Sequence, residues 1–325
     1  VDAETFEKRI AELETTLEEL QGAERRKEAE AAGIDLDAEI GRLKDELRRL
    51  MTTRYARLTP WEKTQTARHK NRPYTLDYLR IAFDGFVELS GDRLGHNDEA
   101  VVGGLARLDG MPVVVAGHQK ARDAKERVRR NFGMARGPGY RKALRLAKLA
   151  EKFRIPLITL VDTAGAAADL KAEETGISEA IARNLMEMSV LETPIIAVII
   201  GEGGSGGALG LGVADIVMML EHSVYSVISP EGCASILWHD RERAAEAAEC
   251  LKLTAQHALE AGIIDEIVPE PLGGAHRDHG AAAAALKSAL IPHIHALKKR
   301  KSSDLLKERY ARLRALGRWE ENPSV

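Results

Sequence analysis

The chain has 325 residues, 44% of them apolar and 30% charged, enough to bury a full core as a soluble globular protein with one large domain and an appendage. A formal net charge of −3 gives no global reason to expect nucleic acid or an anionic membrane as partner. Cys233 and Cys250 alone exclude a disulfide framework and a cysteine-built zinc site, so a reducing, cytoplasmic setting and no metal are expected.

No run reaches the roughly 18 apolar residues of a membrane span, and Val1-Asp2-Ala3-Glu4 lacks the basic segment and apolar core of an export signal. Phe6, Ile10, Leu13, Leu17 and Leu20 recur at spacings of 4 and 3, and after Gly33 so do Leu36, Ile40, Leu43, Leu47 and Leu50. This predicts an N-terminal helical hairpin over 1–54, a packing appendage to which no chemistry is assigned, followed by a body over 55–325. Thr59-Pro60-Trp61-Glu62 has the pattern of a capped helix start. A second helix is expected from Thr75 through Tyr78, Ile81, Phe83 and Phe86. Ala100–Leu108 and Met111–Gly117 read as strands joined by Asp109-Gly110, a strong hairpin signal.

Between Lys120 and Lys142 lie nine Lys or Arg residues against Asp123 and Glu126, with Asn131-Phe132-Gly133-Met134 among them. The run is either a solvated helix face or a local anion site. Arg129 and Arg130 are its candidate residues for binding a nucleotide-tailed thioester or a partner. Aromatic residues are too sparse there, at Phe132 and Tyr140, for a nucleic-acid groove.

From here the chain alternates: helix from Tyr140, strand Ile155–Val161, helix Glu173–Met188, strand Pro194–Ile200, a glycine turn, a helix, then strands near Ile216–Leu220 and Val224–Ile228. Such alternation implies parallel strands covered by helices, and a helical tail follows. Two loops therefore leave the carboxyl ends of neighbouring strands, where open α/β sheets place their sites. One is Asp162-Thr163-Ala164-Gly165-Ala166. The other, Gly201-Glu202-Gly203-Gly204-Ser205-Gly206-Gly207, has no Lys for a Walker loop and matches G-x-G-x-x-G only weakly. Five glycines at a strand-to-helix junction nonetheless offer bare N–H groups to an anion or a developing oxyanion.

Six stretches, in order and with family-like spacing, carry a resemblance over nearly the whole chain: Leu58-Thr59-Pro60-Trp61-Glu62; Arg72-Pro73-Tyr74-Thr75-Leu76-Asp77-Tyr78; Arg130-Asn131-Phe132-Gly133-Met134; Gly201 to Ala208; Tyr225 to Trp238; and Glu270 to Asp278. They resemble the alpha subunits of bacterial-type acetyl-CoA carboxylase carboxyltransferase. The resemblance implies a crotonase-like α/β fold (ClpP/crotonase) of repeated ββα units with helical C-terminal additions. It also implies transfer of a carboxyl group from carboxybiotin on a biotin carboxyl carrier protein to acetyl-CoA, giving malonyl-CoA for fatty acid synthesis. Its implied partners are a zinc-bearing beta subunit in an α2β2 assembly, the carrier, and biotin carboxylase in the larger complex. By motif, Gly206 and Gly207 become the oxyanion donors, Gly165 and Ala166 their complement, and Gly203, Gly204, Ser205 and Ala167 the cofactor-facing residues. No side-chain base is implied.

The family's first loop reads approximately D-T-P-G-A-Y-P-G-I-G-A-E-E-R-G-Q, whereas here Ala164, Ala167 and Ala168 replace two prolines and an aromatic, and Asp169-Leu170-Lys171 follow. The loop is therefore expected to be looser or more helical, with its donor less preorganised. A catalytically weakened assembly or regulatory subunit is one alternative. Another is a stand-alone crotonase-fold acyl-CoA enzyme, which would need a carboxylate pair, Glu202 being the one acid in the glycine loop. Cys233 is expected to be a buried small residue, and His276, Asp278 and His279 to make loop hydrogen bonds rather than bind a metal.

Overall fold

A computed structural model describes residues 3–22 and 35–317, so the turn expected at Gly33 lies outside the described residues. The chain divides at Thr59–Pro60 into two compact units. In the first, α1 (Ala3–Gln21) and α2 (Leu36–Tyr55) pair along the apolar seam: Leu13, Leu17, Ile40 and Leu43 are buried, with Leu20, Leu36, Leu47 and Leu50 packed around them. Asp35 caps α2 by accepting the Ala38 N–H.

The second unit begins with α3 (Pro60–Ala67) and α4 (Thr75–Ala82). The expected longer second helix stops at Ala82, because Phe83 is extended and Phe86 lies in β1 (Asp84–Glu88), whose Val87 pairs with Leu105. Strands β2 (Val101–Leu108) and β3 (Met111–His118) form the expected hairpin. Asp109 and Gly110 both take positive φ, 52° and 75°, as a two-residue turn matched to strand twist requires.

Then come α5 (Ala124–Arg129), α6 (Gly137–Phe153), β4 (Leu157–Thr163), α7 (Leu170–Glu174), α8 (Ile177–Ser189), β5 (Ile195–Gly204) and α9 (Ser205–Gly212). Strands β6 (Ile216–Leu220) and β7 (Val224–Ser226) precede α10 (Pro230–Trp238), α11 (Ala244–Leu251), α12 (Ala255–Glu260), β8 (Glu266–Val268), α13 (His279–Lys298) and α14 (Ser302–Arg314). Strand β8 was not expected from the sequence. The single helix expected over Glu173–Met188 is two, broken where Gly176 takes φ 67°.

The sheet order is β1-β2-β3-β4-β5-β6-β8, with β7 also on β5. The β1–β3 meander is antiparallel and all later pairings are parallel. Successive residues of the central strands serve opposite cores, which is why those strands read as unbroken apolar runs. Val114, Leu157, Val161, Ile195, Ala197 and Ile199 share one core with residues of α6, α8 and α9. Val113, Val115, Ile158, Leu160, Ile196 and Val198 share the other with residues of α4 and α13.

Candidate active site at the ends of β4 and β5

The glycine stretch is not a turn for most of its length. Gly201 to Gly204 continue β5 as extended chain, pairing with β7 through Glu202, Gly203 and Gly204, and the helix begins at Ser205. The change of direction falls on Ser205, at φ 48°. The cap residue, Gly204, has no side chain to accept from the first turn of α9, so the N–H groups of that turn lack an intrahelical or capping acceptor.

The glycines differ in what they allow. A Cβ on Gly204 would collide with the Ala164 carbonyl, and one on Gly207 would lie 2.5 Å from the Ala166 nitrogen and 2.8 Å from the Gly165 oxygen. These two let the loops pack backbone to backbone. A Cβ on Gly203 would meet the Tyr225 ring at 2.8 Å, so it too is a packing glycine. Gly206 is different: its nearest neighbour would be Ile181 Cδ1 at 3.9 Å, which leaves open space over the first turn of α9.

On the opposing loop, the Gly165 N–H donates to Thr163 Oγ1 at 3.2 Å. The Ala166 N–H makes no hydrogen bond among the described residues. Ala167 is buried and its N–H donates to the Ala135 carbonyl at 3.0 Å, which turns this expected cofactor-facing residue inward. The loop is anchored despite its lost prolines. Asp169 caps α7 by accepting the Ala172 N–H, and it pairs with Arg136 at 2.5 Å. The second half is thus helical, as one branch of the expectation had it, and it is tethered rather than loose.

Beneath both loops runs an alternating chain of charges. Lys120 Nζ lies 2.7 Å from Asp162 Oδ1 and 2.9 Å from Glu202 Oε2. Arg68 Nε lies 2.7 Å from Glu202 Oε1, and its Nη1 is 2.5 Å from Glu231. Asp162 also accepts the Glu202 N–H at 3.0 Å. Burial would raise the Glu202 carboxyl, but Lys120 and Arg68 outweigh it and hold the group down at about 2. For Lys120, burial opposes the charge and the two carboxylates more than restore it, raising its pKa. Glu202 therefore stays ionised at neutral pH and cannot serve as a general acid there.

A second pair, fully buried, joins Arg72 to Glu270 through bonds of 2.9 and 2.6 Å, with Arg72 Nε donating to the Ile200 carbonyl. Glu270 also accepts the N–H groups of His222 and Ala275. Burial opposes ionisation here as well, but Arg72 holds Glu270 at about 2. Two of the six sequence motifs thus meet as a structural clamp under the end of β5. Asp278 caps α13, His279 Nε2 lies 2.6 Å from the Asn71 carbonyl, and His276 stacks on His69. Among the described residues no group of three or more His, Cys, Asp or Glu is placed to hold a metal ion.

Arg129 and Arg130 are occupied: Arg129 pairs with Glu99 and Glu126, while Arg130 pairs with Glu126 and donates to the Glu99 carbonyl. The basic residues that instead line the cleft beside Ala164 are Arg68, Lys70, Lys120, Arg122 and Arg127. Arg68 and Lys70 lie outside the basic run, so the sequence carried no signal for them.

A model of the acetyl co-enzyme A carboxylase carboxyltransferase-like family matches residues 3–317. The chain belongs to that family. The acetyl-coenzyme A carboxylase carboxyl transferase subunit alpha of Stenotrophomonas maltophilia strain K279a is 52% identical over 315 residues, covering 97% of each chain. The subunit alpha of Geobacter metallireducens is 53% identical over 318 residues, covering 97% of this chain and 98% of that one. Among solved structures, transcarboxylase 12S aligns with TM-score 0.58 and 19% identity over 71% of this chain and 42% of that one. The Pseudomonas malonate decarboxylase MdcD-MdcE hetero-dimer aligns with TM-score 0.57 and 17% identity over 74% and 96%. The fold is the crotonase-like carboxyltransferase fold, and the chain is the alpha subunit of an acetyl-CoA carboxylase carboxyltransferase.

Proposed function

We propose that the N–H groups of Gly206 and Gly207, with that of Ala166 across the loop contact, form this chain's half of the carboxyltransferase site. The observation that carries the reading is the backbone contact of Gly207 with Gly165 and Ala166, which sets two strand-end loops against each other beside the open face of Gly206. Carboxybiotin, borne on a carrier protein, supplies the carboxyl group, and acetyl-CoA accepts it. The residues fit such a group, because a helix start without a capping side chain offers fixed donors to an oxygen that gains negative charge. Fixed donors do not reorganise during reaction, and losing one typically costs ~10²–10³ in rate. The clasp of Lys120 with Asp162 and Glu202 holds the two loops in register without entering the chemistry.

The proposal extends to an α2β2 assembly with a zinc-bearing beta subunit, served by a biotin carrier and biotin carboxylase in the cytoplasm. Among the described residues no helix is long and apolar enough to cross a membrane. The experiment is to assay the purified chain with and without the beta subunit for malonyl-CoA. Activity in the mixture only is expected. Activity of the chain alone would favour a stand-alone enzyme, and none in either a non-catalytic subunit, the reading the altered 164–171 loop first suggested.

A further inference from the structure

The segment 135–141, which leads into α6, grips the chain after β4 at three points. The Ala167 N–H donates to the Ala135 carbonyl at 3.0 Å, the Arg136 guanidinium closes on Asp169, and Arg141 Nη1 donates to the Thr175 carbonyl at 2.7 Å. The gripping segment is itself anchored. Asp98, which is buried, accepts the Arg136 N–H at 2.6 Å, and Arg141 pairs with Asp92 at 2.9 Å. Gly137 lies so close to the Thr175 carbonyl that a Cβ there would overlap it.

The middle contact differs from the other two, because it joins side chain to side chain and is set by residue choice at both ends. Its geometry is a fork: Arg136 Nε lies 3.1 Å from each carboxylate oxygen of Asp169, and Nη2 lies 2.5 Å from Oδ2. Little else holds the chain between Ala167 and Thr175. Of the five residues of α7 only Ala172 is buried, Leu170 is 76% exposed, and a helix this short has no stability of its own. Asp169 also accepts the Ala172 N–H, so one carboxylate both starts α7 and ties it to the segment before α6. Ala166 stands between this grip and the backbone contact of Gly207, and movement at 167–169 passes directly to its N–H.

We infer that Arg136 and Asp169 are positioning residues for carboxyl transfer: their ion pair fixes the Ala166 N–H donor by clamping the chain just behind it. This rests on the reading of the chain as a carboxyltransferase subunit and adds the device that keeps one of its donors in place. A donor displaced by even about 1 Å loses much of its effect on the rate.

Kinetics and hydrogen exchange of the chain assembled with its beta subunit test this. Arg136→Met, and Asp169→Asn, which keeps a capping side chain, should each lower kcat about fivefold, the factor a well-aligned, part-exposed pair can carry, with KM for acetyl-CoA unchanged. The double variant should be no slower than the worse single, because either change already breaks the one pair. Ala168 is exposed and free of positive φ, and its N–H makes no hydrogen bond among the described residues. Ala168→Pro should therefore stiffen the loop, recovering most of the rate lost in Arg136→Met and altering the parent by less than about twofold. Additive losses, an unchanged kcat, a rise in KM alone or a failed rescue would overturn the assignment. In the exchange measurement, the Ala167 amide should exchange about fivefold faster in Arg136→Met while the amides of β4 keep their rates. Equal acceleration in β4 would mean a general loss of stability and refute the positioning role. Exchange needs no turnover. An inactive parent with the expected exchange pattern would sink the carboxyltransfer reading and leave the clamp standing, whereas unchanged exchange at Ala167 in an active enzyme would sink the clamp alone.

Discussion

Gly206 and Gly207 are adjacent in sequence and opposite in what they tolerate. A methyl group on Gly206 enters open space, and alanine favours a helix over glycine by up to about 1 kcal/mol, so Gly206→Ala should leave the urea midpoint unchanged or raised. Turnover of the α–β enzyme should fall on the order of 10²-fold, because the methyl displaces the reacting oxygen from its donors. Gly207→Ala should instead lower stability by about 1–3 kcal/mol, since its Cβ overlaps the opposing loop. If both variants show the same stability and rate, the distinction between a ligand-facing and a packing glycine fails. At Ala167 the surroundings are closed, so restoring the family's aromatic there should lower the urea midpoint and kcat together. A gain in kcat would show that the pocket opens differently.

At the scale of elements, the clasp joins the start of the segment after β3 to the ends of β4 and β5 and to α3 and α10. Lys120→Met leaves Asp162 and Glu202 facing each other without their shared cation, a change that typically costs about 3–5 kcal/mol for a buried pair. The loops should separate, and kcat should fall more than KM for acetyl-CoA rises. Lys120→Arg should recover part of both losses. Should Lys120→Met be as stable and active as the parent, the clasp does not set the loops. The Arg72–Glu270 clamp acts on the same strand through the Ile200 carbonyl.

Across the whole molecule, four groups, His276 half-buried and the rest buried, bias stability in one direction. His118 is pushed down to about 3, by burial first and then by Lys120, and His276 to about 4, by burial and then by His69. The folded state therefore keeps both neutral where the unfolded chain would take up protons below 6.5. Glu202 and Glu270, at about 2, likewise bind protons later than in the unfolded chain, whose reference is 4.5. In each case the unfolded state binds more protons, so stability rises with pH. It should decline from pH 6.5 downward through the histidines and more steeply from 4.5 towards 2 through the carboxylates. Both ring nitrogens of His118 are buried without partners, so His118→Leu should flatten the upper window, where one such group contributes at most about 1.4 kcal/mol per pH unit. An unchanged slope of urea midpoint against pH would rule out His118 as a source. The isolated chain should also hold no stoichiometric zinc after dialysis, as elemental analysis can check.

The helical seam, the Asp109-Gly110 hairpin, the parallel alternation and the strand-end position of the two loops were legible in the sequence. Each follows from local periodicity, turn chemistry or the direction of a strand. The six motifs pointed to the family, and with it to the reaction. What the tertiary structure decided was the division of labour among similar residues. Every glycine of the 201–207 stretch has the same local chemistry, and only tertiary neighbours, Asp162 at Gly201, Tyr225 at Gly203 and the Ala164–Ala166 loop at Gly204 and Gly207, separate those that pack from the one that faces open space. The cations are alike in the same way: Lys120 meets Glu202 across 82 residues, Arg68 meets it across 134, and Arg72 meets Glu270 across 198. Such distant Coulombic partners are set by distance in space, which local sequence does not encode; Glu126 meets Arg129 and Arg130 within one helical turn, but Glu99 reaches them from outside the basic run, while Lys70 and Arg127 form no ion pair among the described residues.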